Sequence, residues 1–328
     1  MSKRRSFLRA ALIVLGAAPP FASVARAVEY GLSNYQLGLV LPLAGYTPPP
    51  GVYFWNSFFL YQGSGPLYRH SAVRSPSQVT YKIPADIAIF AWFTDVTLFG
   101  GELGFASTNA FGSETTTIAT PYVDAFGIGR HLEQEQTITG FADTELTAML
   151  GWHAGEQHWR LAVSGFVPTG NYDGTRIAQT SLNRPALDIK GAYTFLSLKT
   201  GLEASAALGV TVNGVNTATN YQSGAELHFE WSVSQFLPFG LSLGVGGYFY
   251  QQITGDSGAG DIFGSFKGRV AAVGPIATYT LKVGAQKVDF DVRWFHEFAA
   301  YNRVRVDSIY ATLGFPLWSE PPAVLAAK

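Results

Sequence analysis

Polar and apolar side chains alternate through residues 287–298, which read Lys-Val-Asp-Phe-Asp-Val-Arg-Trp-Phe-His-Glu-Phe. The charged side chains share one parity: Lys287, Asp289, Asp291, Arg293 and Glu297. Phe295 is the exception on that parity, and valine, phenylalanine and tryptophan fill most of the other. Because successive side chains of a strand point to opposite faces, the pattern predicts a β-strand with one charged face and one large apolar face.

Similar stretches, rich in Val, Leu, Phe, Tyr, Thr and Gly, recur along the chain and are separated by turn or loop residues. They predict strands at 85–94, 98–109, 115–127, 141–152, 157–168, 186–196, 200–213, 222–236, 240–252, 266–281, 286–299 and 304–315. Residues 36–42 and 53–62 would raise the count from twelve to fourteen, or could fold inward as a plug. Residues 87–93 depart from the pattern, since they are apolar on both parities.

The predicted connections fall into two length classes. Short turns are expected at 110–114, 153–156, 197–199, 237–239 and 282–285, and longer polar loops at 128–140, 169–185, 214–221 and 253–265. Short turns at one end and long loops at the other are typical of a transmembrane β-barrel. A soluble β-sandwich is the alternative, but its strands average about five or six residues, roughly half the length expected here. The predicted fold class is therefore all-β: a transmembrane antiparallel barrel of about twelve strands, fourteen if the N-terminal stretches join.

The N-terminus predicts export. Four basic residues (Lys3, Arg4, Arg5 and Arg9) precede an apolar stretch, and an Ala-Arg-Ala site ends at Ala27. We expect a signal peptide at 1–27, N-terminal strands or a plug-like segment at 28–84, the barrel at 85–318 and a tail at 319–328. The paired arginines also resemble a twin-arginine signal, and the sequence leaves open whether they act as one.

Composition fits an exported membrane protein. Charged residues make up 14% of the chain, against about 25% in soluble domains. Loss of the signal peptide would move the formal net charge from −1 to about −6, which argues against a nucleic-acid partner. The chain has no cysteine, so a disulfide framework, a thiolate nucleophile and a Cys-based metal site are excluded.

Several short motifs carry a family resemblance. They are Pro-Pro-Gly-Val-Tyr at 49–53, Gly-Gly at 100–101, Leu-Gly-Trp at 150–152, Pro-Thr-Gly-Asn-Tyr-Asp at 168–173, Asn-Tyr-Gln-Ser-Gly at 220–224, Gln-Ile-Thr-Gly-Asp-Ser-Gly at 252–258 and Val-Gly-Pro at 273–275. In this order they resemble the MetA-pathway of phenol degradation family of outer-membrane transporters. The resemblance implies an outer-membrane barrel associated with uptake of aromatic or other hydrophobic compounds, and it carries no catalytic residue set.

The candidate site residues are polar side chains on inward-facing parities of two predicted strands. We expect Glu226, His228, Glu230, Asp289, Asp291 and Arg293 to line the lumen. His228 between two glutamates could converge on a metal ion, but a hydrated polar wall is the preferred interpretation. No catalytic residue, metal site or cofactor is predicted.

These observations predict a channel in the bacterial outer membrane for passive uptake of small hydrophobic or aromatic compounds, with membrane lipid as its surroundings. It is not expected to be an enzyme. An outer-membrane barrel hydrolase acting on lipid and a secreted all-β binding or structural protein are the alternatives. The sequence leaves open the cargo, the oligomeric state and whether the barrel is open or plugged.

Overall fold

The protein was analysed as a computed structural model, which describes residues 29–66, 69–70, 73–74, 77–261, 265–284 and 286–319. The signal peptide expected at 1–27 and nearly all of the expected tail lie outside the described residues.

The described chain is almost entirely β-structure. A 3₁₀ turn at Glu29–Gly31 precedes strands β1 (Gly51–Pro66), β2 (Arg69–His70), β3 (Val73–Arg74), β4 (Gln78–Leu98), β5 (Gly101–Val123), β6 (Gly129–Phe141), β7 (Thr144–Ala154), β8 (Gln157–Val167), β9 (Ala186–Leu196), β10 (Leu202–Asn213), β11 (Val215–Asn216), β12 (Tyr221–Gln222), β13 (Glu226–Phe236), β14 (Leu241–Gln252), β15 (Arg269–Val283), β16 (Gln286–Tyr301) and β17 (Arg305–Ser319). No helix among the described residues is long and apolar enough to cross a bilayer.

Twelve long strands close into an antiparallel barrel. The order is β1-β4-β5-β7-β8-β9-β10-β13-β14-β15-β16-β17, and β17 pairs back onto β1 with Phe58 opposite Ala311. Closure satisfies every strand edge of the barrel, which is what a sheet within lipid requires. Strand β6 is additional, because it pairs only with the outer half of β5, from Phe111 to Val123. The all-β barrel of twelve strands predicted from the sequence is therefore confirmed.

The twelve strands are not the twelve that were expected. Residues 98–109 and 115–127 largely belong to one strand, β5, so the turn expected at 110–114 was wrong. Gly112 lies within that expected turn, but a Cβ there would lie 2.5 Å from the Ala85 Cβ, so the glycine permits close strand contact. The loop expected at 128–140 was also wrong, since it forms β6.

Strand β6 was not predicted because its sequence is mostly polar on both parities. Its side chains pair with the threonine-rich outer half of β5: the Thr115 and Thr137 hydroxyls lie 2.9 Å apart, and the Thr117 hydroxyl donates to Glu135 Oε2 at 3.1 Å. Strand β1 takes the twelfth place in the barrel. Barrel strands consequently occupy residues on both sides of the boundary expected at residue 85, and residues 36–42 form no strand.

The two ends of the barrel differ in their connections. Short ones at 99–100, 155–156, 197–201 and 237–240 lie at the end where β1 begins and β17 finishes, which we call the inner end. Long ones at 168–185 and 214–225 lie at the opposite, outer end. This asymmetry is the one that outer-membrane barrels show between periplasm and exterior.

Large apolar side chains face outward around the wall. On β10 and β16 they are Leu208, Val212, Phe290, Val292 and Trp294, all between 41% and 55% exposed. Their neighbours of opposite parity, such as Ala207 and Arg293, are buried inside the barrel. An exposed apolar belt on a closed barrel is stable only where lipid covers it, so the chain lies in the bacterial outer membrane.

The lipid-facing belt gives a direct prediction at Leu208, which lies midway along β10 and is 53% exposed. Leu208→Arg should lower the free energy of unfolding by about 2–4 kcal/mol, the cost of a cationic side chain at the bilayer midplane. Leu208→Met is the control, since it keeps an apolar side chain there. Urea unfolding in lipid vesicles measures the difference. Equal stabilities of the two variants would show that the Leu208 side chain does not face lipid.

Candidate functional site

Residues 29–50, called here the lumenal segment, run inside the barrel from its outer end to its inner end. Three contacts mark this course: Asn216 Nδ2 donates to Glu29 Oε2 at 2.9 Å, the Gly38 N–H donates to Glu230 Oε2 at 3.0 Å, and the Gly45 N–H donates to Thr194 Oγ1 at 2.9 Å. Asn216 belongs to an outer connection, whereas Thr194 lies near the inner end of β9. The segment then joins β1 at the inner end.

Arg293 on β16 clamps the middle of the lumenal segment. Its Nη1 donates to the carbonyl oxygens of Gly38 at 2.7 Å, Leu39 at 2.9 Å and also Leu41. Its Nε lies 2.6 Å from Asp291 Oδ1. The guanidinium is buried, so its charge is compensated by one carboxylate and three backbone dipoles rather than by water.

Aromatic side chains pack against the same part of the lumenal segment. Gly38 has a φ of +87°, and a Cβ there would lie 2.7 Å from Cε2 of Phe295, so a glycine is required on both counts. Phe295 is fully buried, and the Tyr310 hydroxyl donates to the Leu37 carbonyl at 2.6 Å. Phe295, the exception in the charged face of β16, is therefore the side chain against which the segment packs.

The outer end of the segment is tied to the outer connections. Arg184 is fully buried, and its Nη2 donates to the Leu32 carbonyl at 2.8 Å. The Thr219 hydroxyl donates to Glu29 Oε1 at 2.7 Å. Burial raises the pKa of Glu29 above its usual value, although these hydrogen bonds and the Arg184 charge oppose the rise. Sequence reasoning missed Glu29 and Arg184, because their partners lie 152 to 190 residues away and leave no local pattern.

The structure places three of the six candidate lumen residues on β13, facing the segment. Glu226, His228 and Glu230 are all buried. His228 Nε2 lies 2.8 Å from Asp188 Oδ1, and its ring stacks on Tyr35 with centroids 3.6 Å apart. Within the described residues, no group of three His, Asp or Glu side chains is arranged to hold a metal ion. These side chains hold the segment and do not border open space.

The three candidates on β16 lie nearer the inner end. Asp291 and Arg293 form the ion pair already described, and Asp289 is exposed at the inner mouth, where it accepts a hydrogen bond from the Thr280 hydroxyl at 2.6 Å. The structure does not bring them together with the β13 group. All three border a cavity at the inner end of the barrel.

The wall opposite the segment is apolar. Six successive inward positions of β4 carry apolar side chains: Ile83, Ala85, Ile87, Ile89, Ala91 and Phe93. Their outward neighbours Phe90 and Trp92 are about half exposed. Residues 87–93 are therefore apolar on both parities because one face meets lipid and the other meets the lumen. That departure from alternation was the sequence signal for this wall, which is called here the β4 wall.

Two cavities lie between the lumenal segment and the β4 wall. The outer cavity has a volume of about 210 Å³ and the inner cavity about 420 Å³. Five residues border both: Tyr35, Gln36, Leu39, Thr108 and Glu145. Since the same side chains border both, the two cavities are adjacent, and one after the other they follow the β4 wall from the outer to the inner half of the barrel.

Comparison with solved structures agrees with this architecture. A crystal structure of an outer membrane channel from Pseudomonas putida F1 superposes with a TM-score of 0.65 at 14% identity, covering 83% of this chain and 98% of that one. The translocator domain of the autotransporter NalP from Neisseria meningitidis covers 81% of this chain and 88% of its own, with a TM-score of 0.39 and 11% identity. The first likeness shows the fold.

Sequence comparison places the chain in a family. Among curated proteins, none gives a significant match. A family model described as "Putative MetA-pathway of phenol degradation" matches residues 66–313, which include all the barrel strands except most of β1 and the end of β17. The motifs that suggested this family from the sequence lie mostly within the matched range. The chain belongs to the Putative MetA-pathway of phenol degradation family.

Proposed function

We propose that this chain is an outer-membrane channel through which small hydrophobic or aromatic molecules enter passively. The observation that carries the proposal is the β4 wall, whose six apolar positions border both cavities in turn. A solute with a ring or an alkyl chain can exchange water for apolar contact along this whole path. Each Å² of apolar surface removed from water contributes roughly 25 cal/mol, so the path favours apolar over polar solutes.

The division of the lumen supports the same function. Glu230 of β13 and Arg293 of β16 bind the backbone of the lumenal segment, through the Gly38–Glu230 hydrogen bond and the Arg293 clamp. The segment thus covers the charged side chains of β13 and leaves the β4 wall facing the cavities. Selectivity in barrels comes from the side chains that line the remaining opening. Movement would follow the concentration gradient of the solute.

The proposal gives no chemical step to the inward polar residues. Glu226, His228 and Glu230 face the segment, and the Asp291–Arg293 pair anchors it. Their contacts account for their positions without a substrate. We therefore infer a channel and not an enzyme.

Solute efflux from proteoliposomes tests the proposal. Benzamide and arabinose are both small and uncharged, but only benzamide carries an aromatic ring. After subtraction of efflux from protein-free vesicles, the channel should accelerate the efflux of benzamide far more than that of arabinose. Equal acceleration of both solutes, faster arabinose, or no acceleration of either would refute an apolar path.

A further inference from the structure

Arg160 on β8 is a cation in the inner face of the barrel wall. Its side chain borders the inner cavity and is half-buried. Within the described part of the chain it has neither a hydrogen bond nor a carboxylate oxygen within 4.0 Å. Taking a guanidinium partly out of water without a partner is costly, so the position favours a bound anion.

The other cations that border the inner cavity already have partners within the protein. Lys190 Nζ donates to the Tyr35 hydroxyl at 3.1 Å and lies 4.4 Å from the centroid of the Tyr35 ring. Arg293 is occupied by Asp291 and the lumenal segment. Arg160 is therefore the cation of the described inner cavity whose donors are free for a solute.

The acids of the cavity lie apart from Arg160 in the strand register. Asp289 at the inner mouth and Asp291, which pairs with Arg293, are on β16, across the barrel from β8. Glu145 lies on β7 opposite Phe166 of β8, whereas Arg160 faces Gly151, six residues further along β7. Glu145 borders both cavities and accepts a hydrogen bond from the Thr147 hydroxyl at 3.3 Å. None of the three acids of the inner cavity is therefore a strand neighbour of Arg160.

An apolar surface adjoins Arg160. Ala162 is two residues along the same face of β8 and lies opposite Met149 of β7. These two side chains belong to one buried cluster that includes Tyr53 and Phe93, with Trp55 packed against it. The Tyr53 and Trp55 rings are stacked with centroids 5.6 Å apart, and Phe93 meets Tyr53 edge-on at 5.6 Å. A cation beside an aromatic surface fits a solute that has both an anionic end and a ring.

We propose that the inner cavity takes aromatic molecules that carry one carboxylate group, with the carboxylate on Arg160 and the ring against Trp55, Phe93 and Met149. The guanidinium presents a planar fork of N–H donors that matches the two oxygens of a carboxylate. The ring gains apolar contact at the same time. This inference rests on the proposed function, since it names a solute class for the same path.

An isosteric series tests the inference. Benzoate, benzamide and benzamidine share a benzene ring and a planar substituent but carry a negative, zero and positive charge. Isothermal titration calorimetry on the purified protein in detergent should show benzoate binding at least about tenfold more tightly than benzamide, the effect of one or two charge-assisted hydrogen bonds. Benzamidine should bind most weakly, because its cation meets Arg160.

Arg160→Gln should reduce benzoate affinity to the benzamide level and leave benzamide unchanged. Lys282→Gln is the matched control, because it removes one positive charge from an exposed position near the inner end of β15, outside the cavity. A benzoate preference that survives Arg160→Gln, or equal binding of benzoate and benzamide by the wild type, would overturn the inference. The efflux preference for benzamide over arabinose can still hold in both cases, so the two proposals fail separately.

Discussion

Arg293→Met should convert the barrel from a narrow conduit into a wide pore. The change removes the donors to three backbone carbonyls of the lumenal segment and leaves Asp291 without its cation. Breaking a buried ion pair by removing one partner costs about 3–5 kcal/mol. The backbone hydrogen bonds between the strands do not depend on this side chain. The change should therefore weaken the binding of the lumenal segment to the barrel and leave the barrel itself folded.

Single-channel conductance in planar bilayers measures the effect, and we expect a severalfold rise. Limited proteolysis from the outer side should also cut within residues 29–50 of the variant. Arg305→Met is the matched control, because Arg305 is exposed at the outer end of β17. If Arg293→Met and Arg305→Met both keep wild-type conductance and protection, the clamp does not hold the segment in place.

Ala106→Trp should abolish channel-mediated efflux of aromatic solutes. Ala106 faces the inner cavity and lies two residues from Thr108, which borders both cavities. A tryptophan side chain fills a substantial part of a space of about 420 Å³ and closes the path beside Thr108. The barrel wall is unchanged, so the variant should still insert into membranes.

Ala148→Trp is the matched control for this variant. Ala148 lies on the neighbouring strand β7, opposite Phe105, and is exposed on the outer face. This variant places the same side chain toward lipid, so benzamide efflux should stay at the wild-type rate. The two variants are compared by their rates of benzamide efflux from proteoliposomes. If both variants stay active, the path lies elsewhere in the lumen.

Alternation in the sequence was sufficient to predict the barrel because lipid imposes it on nearly every strand. The face of β13 that carries Phe229 points outward, and the opposite face that carries His228 points inward, as the parity indicated. The same rule holds for Val292 and Arg293 on β16. The number of strands followed from this pattern, although β5 was divided and β1 was left optional.

The interior could not be predicted in the same way. The contacts of the lumenal segment join residues far apart, such as Gly38 and Arg293, and nothing in either local sequence indicates the other. Arg160 likewise gave no signal, since a lone arginine in an alternating strand reads as an ordinary lumen residue. The apolar run at 87–93 was visible, but its meaning depends on the segment covering the opposite, charged wall.

Cysteine labelling tests most directly whether the path runs along the β4 wall. The chain has no native cysteine, so single thiols can be placed in each cavity, as Ala85→Cys and Ala106→Cys, or behind the lumenal segment, as Ser205→Cys and Ser232→Cys. A small charged methanethiosulfonate reagent should modify the first pair rapidly and stop benzamide efflux, while the second pair stays unmodified and active. Rapid modification and block at Ser205 and Ser232, with Ala85 and Ala106 unaffected, would contradict a path along the β4 wall.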